Sequence, residues 1–364
     1  MAGSHLPPLF SERVNVVIFY DFEVFKEDWL AVFIDVTKKK EYVIINNPDE
    51  LKALYEANSK DIWVGYNNRQ YIFKGILLGM NPKRINDWII VEKREGWQFS
   101  SAFNKVPMIN YDVMPNPPVG LKTLEGFLGS NIKETDVDFR INRKLTKEEI
   151  EMTVFYCRHD VEETIKVFLE KIDEFNAMHG IIQAFPDIVN LSDIGDSEAR
   201  ITAKVLGCSR RSFEDEFDFY FLPCLQLKKY KYVQDWFEQK RQEALSMDLA
   251  HMDKYSKRTW YKEQGLETVV AGIPHSFGFG GVHGATATPI HKTGQLLHVD
   301  VNNYYPSMLI AWGLVTRAAT NDNYPLVYNT RKAMKEKQIA AKNAGNKKEV
   351  KRWKKAQLPY KKML

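Results

Sequence analysis

Four groups of side chains in this sequence have the types and spacing to do chemistry. Asp21-Phe22-Glu23 closes an apolar, β-branched run at residues 14–20. Alternation along a strand puts Asp21 and Glu23 on one face, about 6–7 Å apart, where two carboxylates can hold a divalent cation from one side. Tyr156 and Asp160 lie four residues apart in a stretch, 146–169, whose apolar positions recur at helical spacing. That spacing sets a hydroxyl and a carboxylate on one helix face. Asp300 ends a third apolar run (Leu296, Leu297, Val299), and Tyr304-Tyr305-Pro306-Ser307 and an apolar, helix-like run at 308–312 follow it. Arg331 and Lys335, also four apart, share a face of a basic helix. Taken singly, a D-x-E pair or a carboxylate after a strand commonly serves a turn or the surface.

The elements that must position these groups follow from periodicity and breakers. Strands are expected at 14–20, 29–36 and 42–45, the last two joined by a turn at Lys38-Lys39-Lys40. Apolar Ile62-Trp63-Val64 leads into Gly65-Tyr66-Asn67-Asn68-Arg69-Gln70-Tyr71-Ile72. Pro115-Asn116-Pro117-Pro118 marks a loop; Asp112 just upstream is read as lining the cleft or, more commonly for such a residue, as serving a turn, and 121–125 starts a helix packing on the sheet. Thr146-Lys147-Glu148-Glu149 offers a capping-box-like start to the 146–169 helix. Further helices are expected at 192–206, capped at Ser192 or Asp193, and around 230–249; residues 213–221 read as strand or loop. Four glycines among apolar residues in Phe277-Gly278-Phe279-Gly280-Gly281-Val282-His283-Gly284 imply close backbone approach. Two basic helices, 331–341 and 347–364, are joined by Asn343-Ala344-Gly345-Asn346.

A chain of 364 residues is too long for one ordinary core, so two or more domains are expected. No apolar run reaches the ~18–20 residues of a membrane span, and the first residues lack the charged start and apolar core of a signal peptide. Residues 1–13 are set aside as a tag or disordered start. Cys157, Cys208 and Cys224 lack metal-ligand spacing and fit reduced thiols in a cytoplasm. The net charge of +4 is unevenly spread: residues 331–364 hold 13 Lys/Arg and 2 Asp/Glu, a balance of +11, which leaves −7 for the rest. A basic segment on an acidic body points to a polyanionic partner, nucleic acid or a nucleotide triphosphate.

Asp300-Val301-Asn302-Asn303-Tyr304-Tyr305-Pro306-Ser307 resembles the first palm motif of family B DNA polymerases, D-x-x-S-L-Y-P-S, with Asn303 at the usual Ser. The three upstream stretches, in their order, resemble the DEDD-type 3′–5′ exonuclease motifs of the same family. The resemblance implies Asp21, Glu23 and Asp160 as metal ligands, Tyr156 as the group that orients the attacking water, and Asn67 at the frayed primer end. It implies Asp300 as a catalytic palm carboxylate on Mg²⁺ (Mn²⁺ in its place), Tyr305 as the steric gate under the sugar, and Gly280 and Gly281 against the template backbone. Arg331, Lys335 and Lys361 match the residues that bind the triphosphate of the dNTP. One departure matters: the middle exonuclease motif, N-x-x-x-[FY]-D, here runs Asn67 to Tyr71 and then Ile72. The Asp that supports the second cation is missing, and neither Asp61 nor Asp87 has the spacing to replace it, so an impaired exonuclease is expected.

The expected fold is α/β: a ribonuclease-H-like exonuclease domain at 14–190, a connecting region at 191–290, the start of a palm at 291–326 and a helical fingers hairpin at 327–364. The function implied is that of the N-terminal part of a phage-type DNA-directed DNA polymerase, working on primer–template DNA in the cytoplasm of an infected bacterium. Its second palm Asp is expected from a C-terminal polymerase fragment, whether through a split gene, an interrupted gene or truncation. The alternatives are a free-standing 3′–5′ exonuclease and a non-catalytic DNA-binding protein.

Overall fold

The structure, a computed structural model, describes residues 16–68, 71–94, 103, 105–115, 117–132, 136–208, 221–288, 293–295, 297, 303–317, 319 and 322–364. The chain forms two compact units, one of Met1–Gly207 with Asn321–Leu364 and the other of Cys208–Thr320.

The first unit is mixed α/β. Its strands β1 (Val17–Val24), β2 (Trp29–Asp35), β3 (Lys40–Ile45), β4 (Ile62–Gly65) and β5 (Ile109–Asp112) form one sheet in the order β3-β2-β1-β4-β5. β2 runs antiparallel to both its neighbours, whereas β1, β4 and β5 are parallel. β1 and β2 are mostly buried, as central strands of a sheet covered on both faces should be, and the half-buried positions of β1 are its carboxylates, Asp21 and Glu23. β3 lies at the edge, and its charged Lys40 and Glu41 are exposed.

Alternation along β1 decides what each face carries. Ile18, Tyr20, Phe22 and Val24 join Phe33, Trp63 and Phe73 in an aromatic cluster, with neighbouring ring centroids 5–6 Å apart. Helices α1 (Pro48–Ala57), α2 (Tyr71–Leu77) and α3 (Pro82–Asn86) cover this face with Leu51, Leu54, Ile76 and Ile85. Asn47 caps α1, with Pro48 in its first turn. After β5 comes the short α4 (Leu121–Phe127), and then the long α5 (Lys147–Glu170), which lies on the opposite face; there Phe19 meets Phe168 edge-on at 5.2 Å. The predicted capping box is present: Thr146 Oγ1 accepts from the Glu149 N–H, and Glu149 accepts from the Thr146 N–H.

α6 (Ile172–Ala184) turns back from α5. The helix expected at 192–206 is instead two pieces. A 3₁₀ turn at Leu191–Gly195 is closed by Asp193 accepting from the Asn190 N–H, and α7 (Glu198–Val205) starts afresh with Ser197 as its cap. Asn, Asp and Ser side chains here take backbone donors that a continuous helix would use. The 3₁₀ turn packs on β5, where a Cβ on Gly195 would lie 2.3 Å from the Asn110 carbonyl oxygen.

The second unit contains α8 (Lys231–Ser246), α9 (Lys254–Glu263), an antiparallel sheet β6-β7-β8 (Leu266–Val270, Ile273–Gly278, Gly281–Gly284) and α10 (Tyr304–Ala311). The glycine-rich stretch forms the β7–β8 hairpin. Its Phe279 is inserted among Trp236, Phe237, Trp260 and Tyr261, which anchors the turn that presents Gly280 and Gly281. The strand expected around Leu296 and Val299, and residues 213–220, lie outside the described residues.

The chain then returns to the first unit. α11 (Asn323–Asn343) begins eight residues before the predicted start, because Tyr324 and Val327 are buried there and Pro325 sits in the first turn, where no N–H is needed. The expected 347–364 helix breaks into α12 (Lys347–Ala356) and α13 (Leu358–Lys362). Pro359 lacks the N–H that would continue the ladder to residue 355. Gln357 at the break donates to Gln338 Oε1 at 2.6 Å and ties the pieces to α11. α13 seats on α6, and its Lys362 also pairs with Glu198 at the start of α7 at 2.7 Å. A Cβ on Gly180 would lie 2.5 Å from Pro359 Cγ. Replacing Gly180 with Val should therefore lift α13 and lower stability by about 1–3 kcal/mol, which thermal unfolding would register; an unchanged Tm would mean α13 does not depend on α6.

Candidate functional site

The odd residues of β1 face α5, and this puts two carboxylates beneath a helix that brings a third. Asp21, Glu23 and Cys157 hold ligand-type atoms all within 4.8 Å of one another. Cys157 is buried, and its Sγ–H donates to the Asp21 carbonyl oxygen at 3.5 Å. Burial, then the charges of Asp21 and Glu23, push its thiol well above the ordinary range. It thus serves as a neutral spacer between strand and helix, while the two carboxylates form the hard-oxygen donor set.

Asp160 faces the same cleft from α5, one helical turn beyond Tyr156. Burial, then the nearby Asp160 charge, raises Asp21 to about 7. Burial, then Asp21, then Asp160, raises Glu23 well above an ordinary Glu. Burial also raises Asp160, although Lys122 pulls against it. Three half-buried acids that repel one another in this way fit a divalent cation, which would relieve both the desolvation and the repulsion. Two groups can hold a metal ion among the described residues: Asp21 and Glu23 beside Cys157, and Glu125, His159 and Asp160.

The second group is the part that spacing did not predict. Glu125 in α4 is fully buried, and His159 is nearly so. Lys122 Nζ lies 2.5 Å from Asp160 Oδ1 and 3.0 Å from Glu125 Oε1, and His159 Nε2 lies 3.5 Å from Glu125 Oε2. Burial pulls the Lys122 ammonium towards neutrality, but Asp160 and Glu125 outweigh it and hold its pKa above the usual value. The signal in the sequence was an i, i+3 Lys–Glu pair at the start of α4, a pattern common on any solvated helix.

The remaining predicted residues are placed as follows. Asn67 is exposed, with positive φ, just after β4 at the end of the sheet that carries Asp21 and Glu23; its N–H donates to Asp112 at 2.9 Å. Asp112 also accepts from the Met114 N–H, the turn role expected of it. Ile72 packs against the aromatic cluster on the far face. Asp61 accepts from the Val16 N–H at the opposite end of β1, and Asp87 pairs with Lys83, so neither joins the cleft. Gly280 and Gly281 are exposed on their hairpin, and Tyr305 is exposed on α10. Asp300 lies outside the described residues. Arg331 and Lys335 of α11 and Lys361 of α13 line one cavity of about 360 Å³ together with Lys351, Lys354 and Lys355. Asp173 is the carboxylate facing these six cations. No helix among the described residues is long and apolar enough to cross a membrane.

A comparison with models of protein families finds none that matches the chain, and a comparison with curated proteins finds no match.

The carboxylates give a pH prediction with a definite sign. The Asp21 pKa of about 7 exceeds the ~3.9 of a free Asp, so the folded chain binds more protons between these values. Without divalent cation, Tm should fall as pH rises from about 5 to 8, and Asp21→Asn should flatten that slope. Added Mn²⁺ should raise Tm more at pH 8 than at pH 5, and should do so less in the Asp21→Asn variant. A Tm that rises with pH and ignores Mn²⁺ would contradict the cleft described here.

Proposed function

We propose that the chain is the exonuclease, palm-start and fingers part of a DNA-directed DNA polymerase of family B, acting on primer–template DNA and dNTPs with Mg²⁺. The observation that carries this reading is the convergence of Arg331, Lys335 and Lys361. The resemblance to the family's fingers motifs singled them out in two separate stretches, and they line one basic cavity. Six cations around about 360 Å³ suit a polyphosphate, whose charge is compact and multiple. The strand order β3-β2-β1-β4-β5, with β2 alone reversed, supports a ribonuclease-H-like domain beside it. Asp300 would serve as the palm carboxylate and Tyr305 as the gate against ribose. Gly280 and Gly281 would meet the template backbone.

In the exonuclease cleft, Asp21, Glu23 and Asp160 would hold the metal. A divalent cation there supplies Lewis acidity at the attacking water and neutralises charge on the phosphate. Tyr156 orients that water from the turn of α5 before Asp160, and Asn67 holds the 3′-terminal nucleotide at the sheet end. The water oxygen bonds to phosphorus and the bond from phosphorus to the 3′ oxygen breaks. The water's proton leaves to solvent, and the freed 3′ oxygen takes one up. A free-standing exonuclease is the second reading, favoured by the cleft alone; it leaves the basic cavity without a role.

Replacing both Arg331 and Lys335 with Ala should weaken binding of a fluorescent dNTP at least tenfold while changing duplex affinity several-fold less. Equal losses for both ligands would reduce the cavity to a generic basic surface. A 5′-labelled oligonucleotide incubated with Mg²⁺ should shorten slowly from its 3′ end, as an exonuclease impaired by Ile72 would, and Asp21→Ala with Glu23→Ala should stop this. Shortening that survives the double substitution would remove the cleft from the reaction.

A further inference from the structure

Two-metal clefts place their ions about 3.5–4 Å apart, one on each side of the scissile phosphate. Here the Asp21–Glu23 side offers two carboxylates, but the other side is already furnished with a fixed positive charge. Lys122 Nζ bridges Asp160 Oδ1 at 2.5 Å and Glu125 Oε1 at 3.0 Å. Glu125 is fully buried, and His159 backs its other oxygen at 3.5 Å. The row His159–Glu125–Lys122–Asp160 therefore runs from the protein interior to the cleft wall, and it holds one ammonium against two carboxylates. The side chain of Lys122 is 30 % exposed and its ammonium lies 2.5 Å from the cleft residue Asp160, so it is not sealed in the interior.

We propose that the Lys122 ammonium takes the place of the second cation, so that this cleft binds one divalent ion, on Asp21 and Glu23 with Asp160, and not two. The inference rests on the exonuclease reading above and goes beyond it. It also gives a physical account of Ile72. With a lysine supplying the charge, no carboxylate is needed at position 72, and that side chain is spent on the aromatic core on the far face. An ammonium is a compact point charge with three donors, so Lys122 Nζ can meet Asp160, Glu125 and a phosphate or departing 3′ oxygen from one atom. Glu125 is then a positioning residue, since it touches Lys122 and not the reacting atoms. Its burial fixes the carboxylate, and the carboxylate fixes the ammonium.

The test counts ions by electron paramagnetic resonance of Mn²⁺ bound to the full chain, with circular dichroism confirming that each variant is folded. The wild type should show one tight Mn²⁺ per cleft without the magnetic coupling of a close pair, and Asp21→Asn with Glu23→Gln should lose it. Lys122→Ala frees Glu125, His159 and Asp160 as ligands and should bring in a second Mn²⁺, coupled to the first. Lys122→Met keeps the bulk without the charge, so it should keep the count at one and lose at least tenfold in oligonucleotide shortening. A coupled Mn²⁺ pair in the wild type would overturn the proposal while leaving the exonuclease reading intact. A chain that binds no Mn²⁺ in the cleft would overturn that reading and the proposal with it.

Discussion

Mutual repulsion among half-buried carboxylates is the constraint on which the first unit turns. Asp21 and Glu23 point from the central strand into the space under α5, and Asp160 points back at them. Burying like charges is costly, and a fold keeps such a cluster only where something positive belongs beside it. The apolar contacts around it oppose the repulsion from both faces of the sheet. Phe19 against Phe168 holds the helix down on one side, and the rings about Tyr20, Phe33, Trp63 and Phe73 hold β1 from the other. The sheet is thus a rigid floor on which the acids are fixed in place, and the cleft inherits its geometry from period-two alternation along a single strand.

The basic cavity answers a related constraint with the opposite sign. Six cations from α11, α12 and α13 are gathered around one hollow, and the fold holds them there by ordinary means. Gln357 bonds across to Gln338, Lys337 lies 4.7 Å over the Trp353 ring, and Pro359 fits against Gly180. These contacts anchor the helices without neutralising the cations that face the cavity. A polyanion would find there a concentrated positive field, with Asp173 at its edge.

Much of the first unit could be read from local patterns. Strong β-branched and aromatic runs gave β1, β2 and β3 to within a few residues, and Thr146 with Glu149 gave the start of α5. The D-x-E pair and the i, i+4 pair of Tyr156 and Asp160 were legible because strand and helix periods alone decide their faces. Lys122, Glu125 and His159 were not, because their role depends on a long-range approach of α4 to α5 that no local period encodes. The breaks at Gly195–Ser197 and Gln357 were missed for a different reason. Side-chain capping at Asn190, Asp193 and Ser197, and the missing N–H of Pro359, compete with an apolar spacing that by itself favours a continuous helix. The early start of α11 was hidden by Pro325, which reads as a breaker unless it falls in a first turn.

The cleft between β1 and α5 is proposed to hold a divalent cation against the end of a nucleic-acid strand. Anomalous diffraction at the manganese edge, from crystals grown with Mn²⁺ and a short single-stranded oligonucleotide, tests it most directly. A peak is expected between the carboxylates of Asp21 and Glu23, within reach of Asp160, with the 3′ end of the oligonucleotide beside it and near Asn67. A cleft without manganese, or a strand whose 3′ end lies elsewhere on the unit, would contradict it.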